Sequence, residues 1–256
     1  MKHLILSAAV LAALALSHPA VAADGDGDAN GWSGTGELGL AMARGNARSE
    51  NLNAKLDFKN EDDQWKHHFY VSALRAKGEV VGDFDGDGIL EERFELNANR
   101  YTFGASSALK MNEISYWVAA LRYENDDFAP FESQATFSLG YGRSLIKNER
   151  TDLSMEIGPG WRHAKSAAGW IENEAILRGL LDFKHSLTDN TDLVNTLLVE
   201  SGSDNTFVQN DFGVAVKMNE DFALKAGLQA RHNTDVLPGQ KKTDTLTTVN
   251  LVYNFQ

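Results

Sequence analysis

From Gly31 onward the chain alternates apolar and polar residues with a period of two, and the alternation returns segment after segment. In the first segment Trp32, Gly34, Gly36, Leu38, Leu40 and Met42 share one face, while Ser33, Thr35, Glu37, Gly39 and Ala41 share the other. The next sets Leu52, Ala54, Leu56 and Phe58 against Asn51, Asn53, Lys55 and Asp57. A third sets Trp65, His67, Phe69, Val71 and Ala73 against Lys66, His68, Tyr70 and Ser72. The same pattern recurs through Tyr101–Ala105, Trp117–Tyr123, Ala135–Tyr141, Leu153–Trp161, Ala175–Phe183, Phe212–Val216, Phe222–Leu228 and Val249–Phe255. Side chains on a strand point alternately to its two faces, so each segment reads as a strand with one apolar and one wet face.

The connections alternate too. Tight polar turns fall at Asn60–Asp63, Met111–Glu113, Lys147–Arg150, Leu187–Asn190 and Met218–Asp221. Between them lie mostly longer segments, Lys77–Arg93, Asn125–Glu132, Lys165–Glu172 and Asp235–Thr243, with shorter links at Gly45 and Ser201. Short turns at one end and longer loops at the other are the habit of outer-membrane barrels. The pattern predicts an all-β fold, a transmembrane antiparallel up-and-down β-barrel of about twelve strands, each of roughly 10 to 15 residues. Apolar side chains would face lipid, and polar ones the lumen. A soluble barrel would reverse these faces. Two places resist the pattern. Pro159 sits within a strand and lacks a ladder donor, which predicts a bulge. From Leu193 to Glu200 the alternation blurs, and either register places Asn195 or Glu200 awkwardly.

Ahead of the strands, Lys2, an apolar run from Leu4 to Leu16, and Ala20-Val21-Ala22 have the three parts of a secretory signal peptide. Residues 1–22 are expected to be removed, 23–30 to form a flexible acidic arm, and 31–256 to form the barrel domain. The apolar run is too short for a membrane-spanning helix. The chain of 256 residues carries a net charge of -12, which argues against a nucleic-acid partner. It contains no cysteine, so disulfides, thiol nucleophiles and thiolate metal sites are excluded. The expected location is the bacterial outer membrane. The expected partners are its lipids and, during biogenesis, the barrel-assembly machinery. Oligomeric state is not readable, since lipid-facing and subunit-facing residues are both apolar.

Several stretches resemble the YdiY-like proteins of Gram-negative bacteria, a family of unknown function labelled as salt-induced outer-membrane proteins. The opening Gly34-Thr35-Gly36-Glu37-Leu38-Gly39-Leu40, with Gly45-Asn46 and Leu52-Asn53-Ala54-Lys55-Leu56, is similar to that family's opening. Thr243-Asp244-Thr245-Leu246 and Val249-Asn250-Leu251-Val252-Tyr253-Asn254-Phe255 resemble its ending. Asn99-Arg100-Tyr101 and Glu156-Ile157-Gly158-Pro159-Gly160 fall where it has similar stretches. The resemblance departs at Ala47, where threonine is usual, and at Gln256, which follows the terminal aromatic. It implies the barrel fold and a role in envelope integrity or salt stress, and it implies no enzymatic activity.

Candidate chemistry is sparse. Asp83-Phe84-Asp85-Gly86-Asp87-Gly88 places carboxylates at alternate positions before a glycine, like the first half of a calcium loop. The position of the closing glutamate holds Phe94, so Asp83, Asp85 and Asp87 suit a weak divalent-cation site or a plain solvated loop. No other cofactor is expected. Lumen positions carry Glu37, Lys55, Asp57, His68, Arg100, Arg122, Glu156, Arg162, Glu174, Arg178, Asp182, Lys184, Lys225 and Arg231. Charges of both signs at similar depth suit either an ion-pair network that stiffens a closed interior or a narrow polar channel. A rim hydrolase would need a nucleophile beside a base. His163 with Ser166 is the nearest approach to one, while His67, His68, His185 and His232 have no serine motif beside them. No catalytic residue is assigned.

Overall fold

A computed structural model describes residues 31–44, 48–236 and 238–255. The leader 1–22, the arm 23–30, Ala47 and Gln256 lie outside the described residues. The described chain forms twelve strands: β1 (Trp32–Ala43), β2 (Ser49–Glu61), β3 (Trp65–Gly82), β4 (Glu91–Lys110), β5 (Ser115–Asp126), β6 (Phe131–Lys147), β7 (Thr151–Ser166), β8 (Ile171–Thr188), β9 (Thr191–Ser201), β10 (Thr206–Lys217), β11 (Phe222–Asn233) and β12 (Thr243–Phe255). Each strand pairs antiparallel with its sequence neighbours, and β1 pairs with β12 to close the barrel. Among the described residues no helix is long and apolar enough to cross a membrane.

Burial is inverted relative to a water-soluble fold. Outward positions carry exposed apolar groups such as Leu38, Leu40, Val71, Trp117, Leu121, Phe137, Leu139, Ile157, Leu177 and Leu251. The most buried side chains are Arg162, Phe207, Glu200 and Asn205, three of them polar. A surface apolar on this scale, wrapped around a polar interior, is stable only where hydrocarbon replaces water. Aromatic residues gather near the short-turn end, where Phe58 packs on Phe255, Trp117 on Tyr141, and Phe222 on Tyr253. Rings with polar edges settle at such an interface.

Four of the five short turns share one device. Asp62 Oδ1 accepts hydrogen bonds from the N–H groups of Gln64 and Trp65. Asn112 does the same for Ile114 and Ser115, Asn148 for Arg150 and Thr151, and Asn219 for Asp221 and Phe222. A short side-chain acceptor that captures the amides two and three residues ahead folds the chain back without a long loop.

Three expectations are corrected. Strands run from 11 to 20 residues, so several exceed the expected length. The Lys77–Arg93 segment is mostly strand, with only residues 83–90 as loop. Beyond Gly78 on β3 and before Arg100 on β4, these strands pair only with each other and form a hairpin standing out from the wall. Pro159 produces no bulge: the β6–β7 register is the same at Ser138↔Gly160 and Tyr141↔Ile157. The ladder is instead interrupted, with no register pair at Leu139 or Gly140, and Gly140 and Gly158 bring the two backbones close together there. A Cβ on Gly140 would lie 2.9 Å from the Ile157 carbonyl oxygen. The Asn195 and Glu200 ambiguity resolves with Glu200 inside and fully buried. Asn195 lies outside, in a reciprocal amide pair with Asn210 at 3.2 Å.

Glycines also seat lumen aromatics. The Tyr116 ring lies over Gly142 and the Tyr70 ring over Gly104, each where a Cβ would collide with the ring. We expect Gly142→Val to displace Tyr116 and to destabilise the barrel by about 1–3 kcal/mol, the usual range for overpacking. A lower urea midpoint of the heat-modifiable folded band on an electrophoretic gel would register this.

Candidate functional site: the lumen

Among the described residues most of the buried charge lies in the lumen, and its two ends differ. At the loop end arginines dominate. β5 alternation delivers Arg122, Glu124 and Asp126 inward, and all three are buried. Arg122 donates to Glu200 of β9 at 2.5 and 3.3 Å and to Glu124 at 3.3 Å. Thr136 of β6 donates to the same Glu200 carboxylate at 3.1 Å. From the opposite wall, Arg231 of β11 pairs with Glu124 and, at 3.0 Å, with Asp126. Arg100 of β4 reaches Gln229 of β11 at 2.5 Å, and Gln229 passes the link to Asp211 at 2.6 Å. Five strands lie between β5 and β11 either way around a twelve-stranded ring, so their bonds cross the bore. Phe207, fully buried, has the guanidinium groups of both Arg122 and Arg231 over its ring, 4.9 and 5.2 Å from the ring centre. Flat cations on an aromatic face leave little room for water between them.

A second buried pair ties down the mouth. Arg162 of β7 pairs with Glu174 of β8 and donates to the Asn205 carbonyl at 2.5 Å. Glu174 also accepts the Asp204 amide N–H at 3.0 Å. Asn205 donates on to Asn233 at 2.9 Å. The β9–β10 loop is thereby held against the inner wall.

At the turn end lysines take over. Glu61 gathers Lys110 at 2.7 Å and Lys66 and Lys147 at 3.7 Å, beside a cavity of about 520 Å³ lined in part by Asp63 and Glu113. Asp192 holds Lys184 at 3.4 Å and Lys217 at 3.7 Å. Asp57 holds Lys55 at 3.3 Å and His68 at 3.0 Å, and Glu37 holds Lys225 at 2.7 Å. Several of these ammonium groups are about half exposed. The strongly hydrated, flexible ammonium suits this wetter end, as the rigid guanidinium fork suits the dry one. Between the two levels, Arg178 pairs with Glu156 at 3.0 Å, and Tyr116 donates to the same carboxylate at 3.3 Å.

The charges expected in the lumen are therefore there, with Asp182 accepting from Thr196 at 2.7 Å. Sequence reasoning missed Glu124, Asp126, Glu200, Asp192 and Phe207 as members. Glu124 and Asp126 follow Arg122 at the spacing of two that marks one face, which was the available signal. The hydrolase candidates do not converge. His163 faces outward and bonds Asn173 at 2.7 Å, while Ser166 is buried on the opposite face of β7. His67 stacks on Trp65, His185 bonds Thr151, and His232 bonds Thr243.

Asp83, Asp85 and Asp87 sit exposed at the tip of the protruding hairpin, with carboxylate oxygens within 4.8 Å of one another. Their oxygens already serve the backbone: Asp83 accepts from Gly86 at 2.7 Å and Gly88 at 2.9 Å, and Asp87 from Ile89 at 2.8 Å. Gly86 and Gly88 have φ of 79° and 83°, which other residues rarely adopt. Phe94, at the position of a closing ligand, lies under the Arg48 guanidinium at 4.1 Å.

A closed antiparallel barrel with an apolar girdle and a charged lumen defines the class: the outer-membrane β-barrels. The NanC porin structure superposes with a TM-score of 0.50 at 8% identity, over 88% of this chain and 100% of that one. An outer-membrane channel from Pseudomonas putida F1 superposes with a TM-score of 0.50 at 9% identity, over 91% of this chain and 100% of that one. At such identity the likeness is one of fold. A comparison with curated proteins finds no match. The chain belongs to the family described as Protein of unknown function, DUF481, whose profile matches residues 36–255. The YdiY-like resemblance fits this family.

Two outcomes follow. Glu200→Ala leaves buried Arg122 with only the Glu124 carboxylate that Arg231 already engages, with an expected cost of about 3–5 kcal/mol read from the denaturant midpoint. Amide donors, that of Gly88 first, hold the Asp83 carboxyl below the usual carboxylate range. A carboxylate with lowered pKa stabilises the loop above its ordinary pKa and loses that contribution as pH falls through the lowered one. A fluorophore on this loop should therefore stay immobile at neutral pH and loosen only in strong acid, and Asp83→Asn should loosen it at neutral pH.

Proposed function

We propose that this protein is a plugged structural barrel of the outer membrane that maintains the envelope under ionic or osmotic stress. The observation that carries this reading is the set of ion pairs from Arg231 on β11 to Glu124 and Asp126 on β5. A conduit for solutes needs those opposite walls apart, and here they are joined by buried, charge-assisted bonds. Such a plug also ties non-adjacent strands together, which suits a wall that must resist swelling.

In this reading residues 1–22 direct export and are cleaved, and the short turns face the periplasm with the longer loops outside. The apolar girdle is covered by outer-membrane lipids, and the barrel-assembly machinery inserts the chain. No metal, cofactor or catalytic group takes part. The alternative is a narrow polar channel. It is favoured by the similar structures, one described as a porin and one as a channel, and by the half-exposed lysines of the turn end.

Recording from single barrels in a planar bilayer decides between the two. The native chain is expected to stay silent, and Arg231→Ala combined with Glu124→Ala to add discrete conductance steps. Regular steps from the native protein would establish the channel and sink the plugged barrel.

A further inference from the structure

The barrel closes unevenly. β1 and β12 share five register pairs, from Gly34↔Phe255 to Leu38↔Leu251. Every other pair of neighbours runs over at least eleven. Past Leu38, β1 continues to Ala43 paired only with β2. Before Leu251, the β12 segment Thr243–Asn250 is paired only with β11. Two strand edges thus face each other without a ladder in the loop-end half of the wall. Unpaired backbone groups are not tolerated against hydrocarbon, but they are tolerated where they border a polar cavity.

The two sides of this seam differ in chemistry. On the outside Leu40, Met42 and Val249 are 62%, 67% and 62% exposed, more than the 45% of Leu38 and Leu251 just below them. On the inside the alternation places Gly39, Ala41, Asn53, Gly227, Thr248 and Asn250, which are small or neutral, with Leu246 and Asp244 on the same face nearer the loop end. Asn53 donates to Asn250 at 3.1 Å across the inner face of β1, where a Cβ on Gly39 would collide with both amides. This bridge marks the lower end of the opening. Glu37 beneath it is already engaged by Lys225 at 2.7 Å and Asn250 at 3.0 Å. The charged plug hangs from β4 to β11, and at its β11 end Gln229 and Arg231 lie one strand from the seam, opposite Leu246 and Asp244 of β12, with Arg231 already engaged by Glu124 and Asp126.

We propose that the β1–β12 seam is a lateral port between the lumen and the outer leaflet that takes a single-chain amphiphile of no net charge. The polar head meets the inner amides, and the chain lies along Leu40, Met42 and Val249. This inference does not rest on the stress role, since a barrel silent along its axis can still open sideways.

The absence of cysteine makes the test direct. Ala41→Cys carries an environment-sensitive fluorophore in vesicles of diacyl phosphatidylcholine, and lysophosphatidylcholine brominated on its chain is titrated in. Quenching at position 41 should saturate. A label at Thr35→Cys, inside the paired segment, should show none, and one at outward Leu121→Cys should follow bulk lipid without saturation. In a second measurement Leu40→Cys with Val249→Cys is oxidised beside Gly36→Cys with Tyr253→Cys, a pair already in register. A disulfide needs Cα atoms within about 7 Å, so the upper pair should close several-fold more slowly. A bis-maleimide that bridges it should abolish the saturable quenching in a triple variant that also carries the label. The proposal is overturned if the upper pair oxidises as fast as the lower one, or if position 41 behaves like either control.

Discussion

The governing constraint is that hydrocarbon offers no partner for a backbone N–H or C=O. A sheet placed in it must close on itself, and the twelve strands do so by pairing sequence neighbours and joining β1 to β12. Closure in turn divides every side chain between lipid and lumen. The exposed leucines, valines and aromatics and the buried arginines and glutamates are two consequences of the same rule. The one stretch where the rule is relaxed, above Leu38 and Leu251, lies where small and amide side chains line the inner face.

Inside, the governing cost is desolvation. Arg122, Arg231 and Glu124 are each at least nine-tenths buried, and such charges persist only when paired and hydrogen-bonded. The arrangement meets that demand by reaching across the bore as well as along the wall, with two guanidinium groups set over the Phe207 ring. Lysines occupy the wetter end, where Glu61 and Asp192 each serve more than one ammonium group. The gradient from lysine to arginine along the axis follows the gradient from hydrated to dry.

The class of fold, the strand count, the turn positions and the polarity of each face were legible because they depend on local periodicity. Asn112, Asn148 and Asn219 even repeat one turn motif at three sites. Misreadings arose where the local pattern carried two meanings. The Lys77–Arg93 segment looked like a loop because acidic residues and glycines punctuate it, yet β-pairing extends through Lys77–Gly82 and Glu91–Leu96. Pro159 looked like a bulge because what keeps the register there, the close approach of Gly158 to Gly140, involves another strand. Asn195 looked misplaced because Asn210, which satisfies it, is fifteen positions away.

Alternation, by itself, determined that this chain would build a closed sheet with grease outside and charge inside, since a period of two needs no knowledge of neighbours. Which charges meet was decided only by the tertiary structure. Arg231 and Glu124 are 107 residues apart, and only the curvature and stagger of the closed barrel set them face to face across the lumen. The width of the β1–β12 seam is of the same kind, because it depends on how the last strand returns to the first.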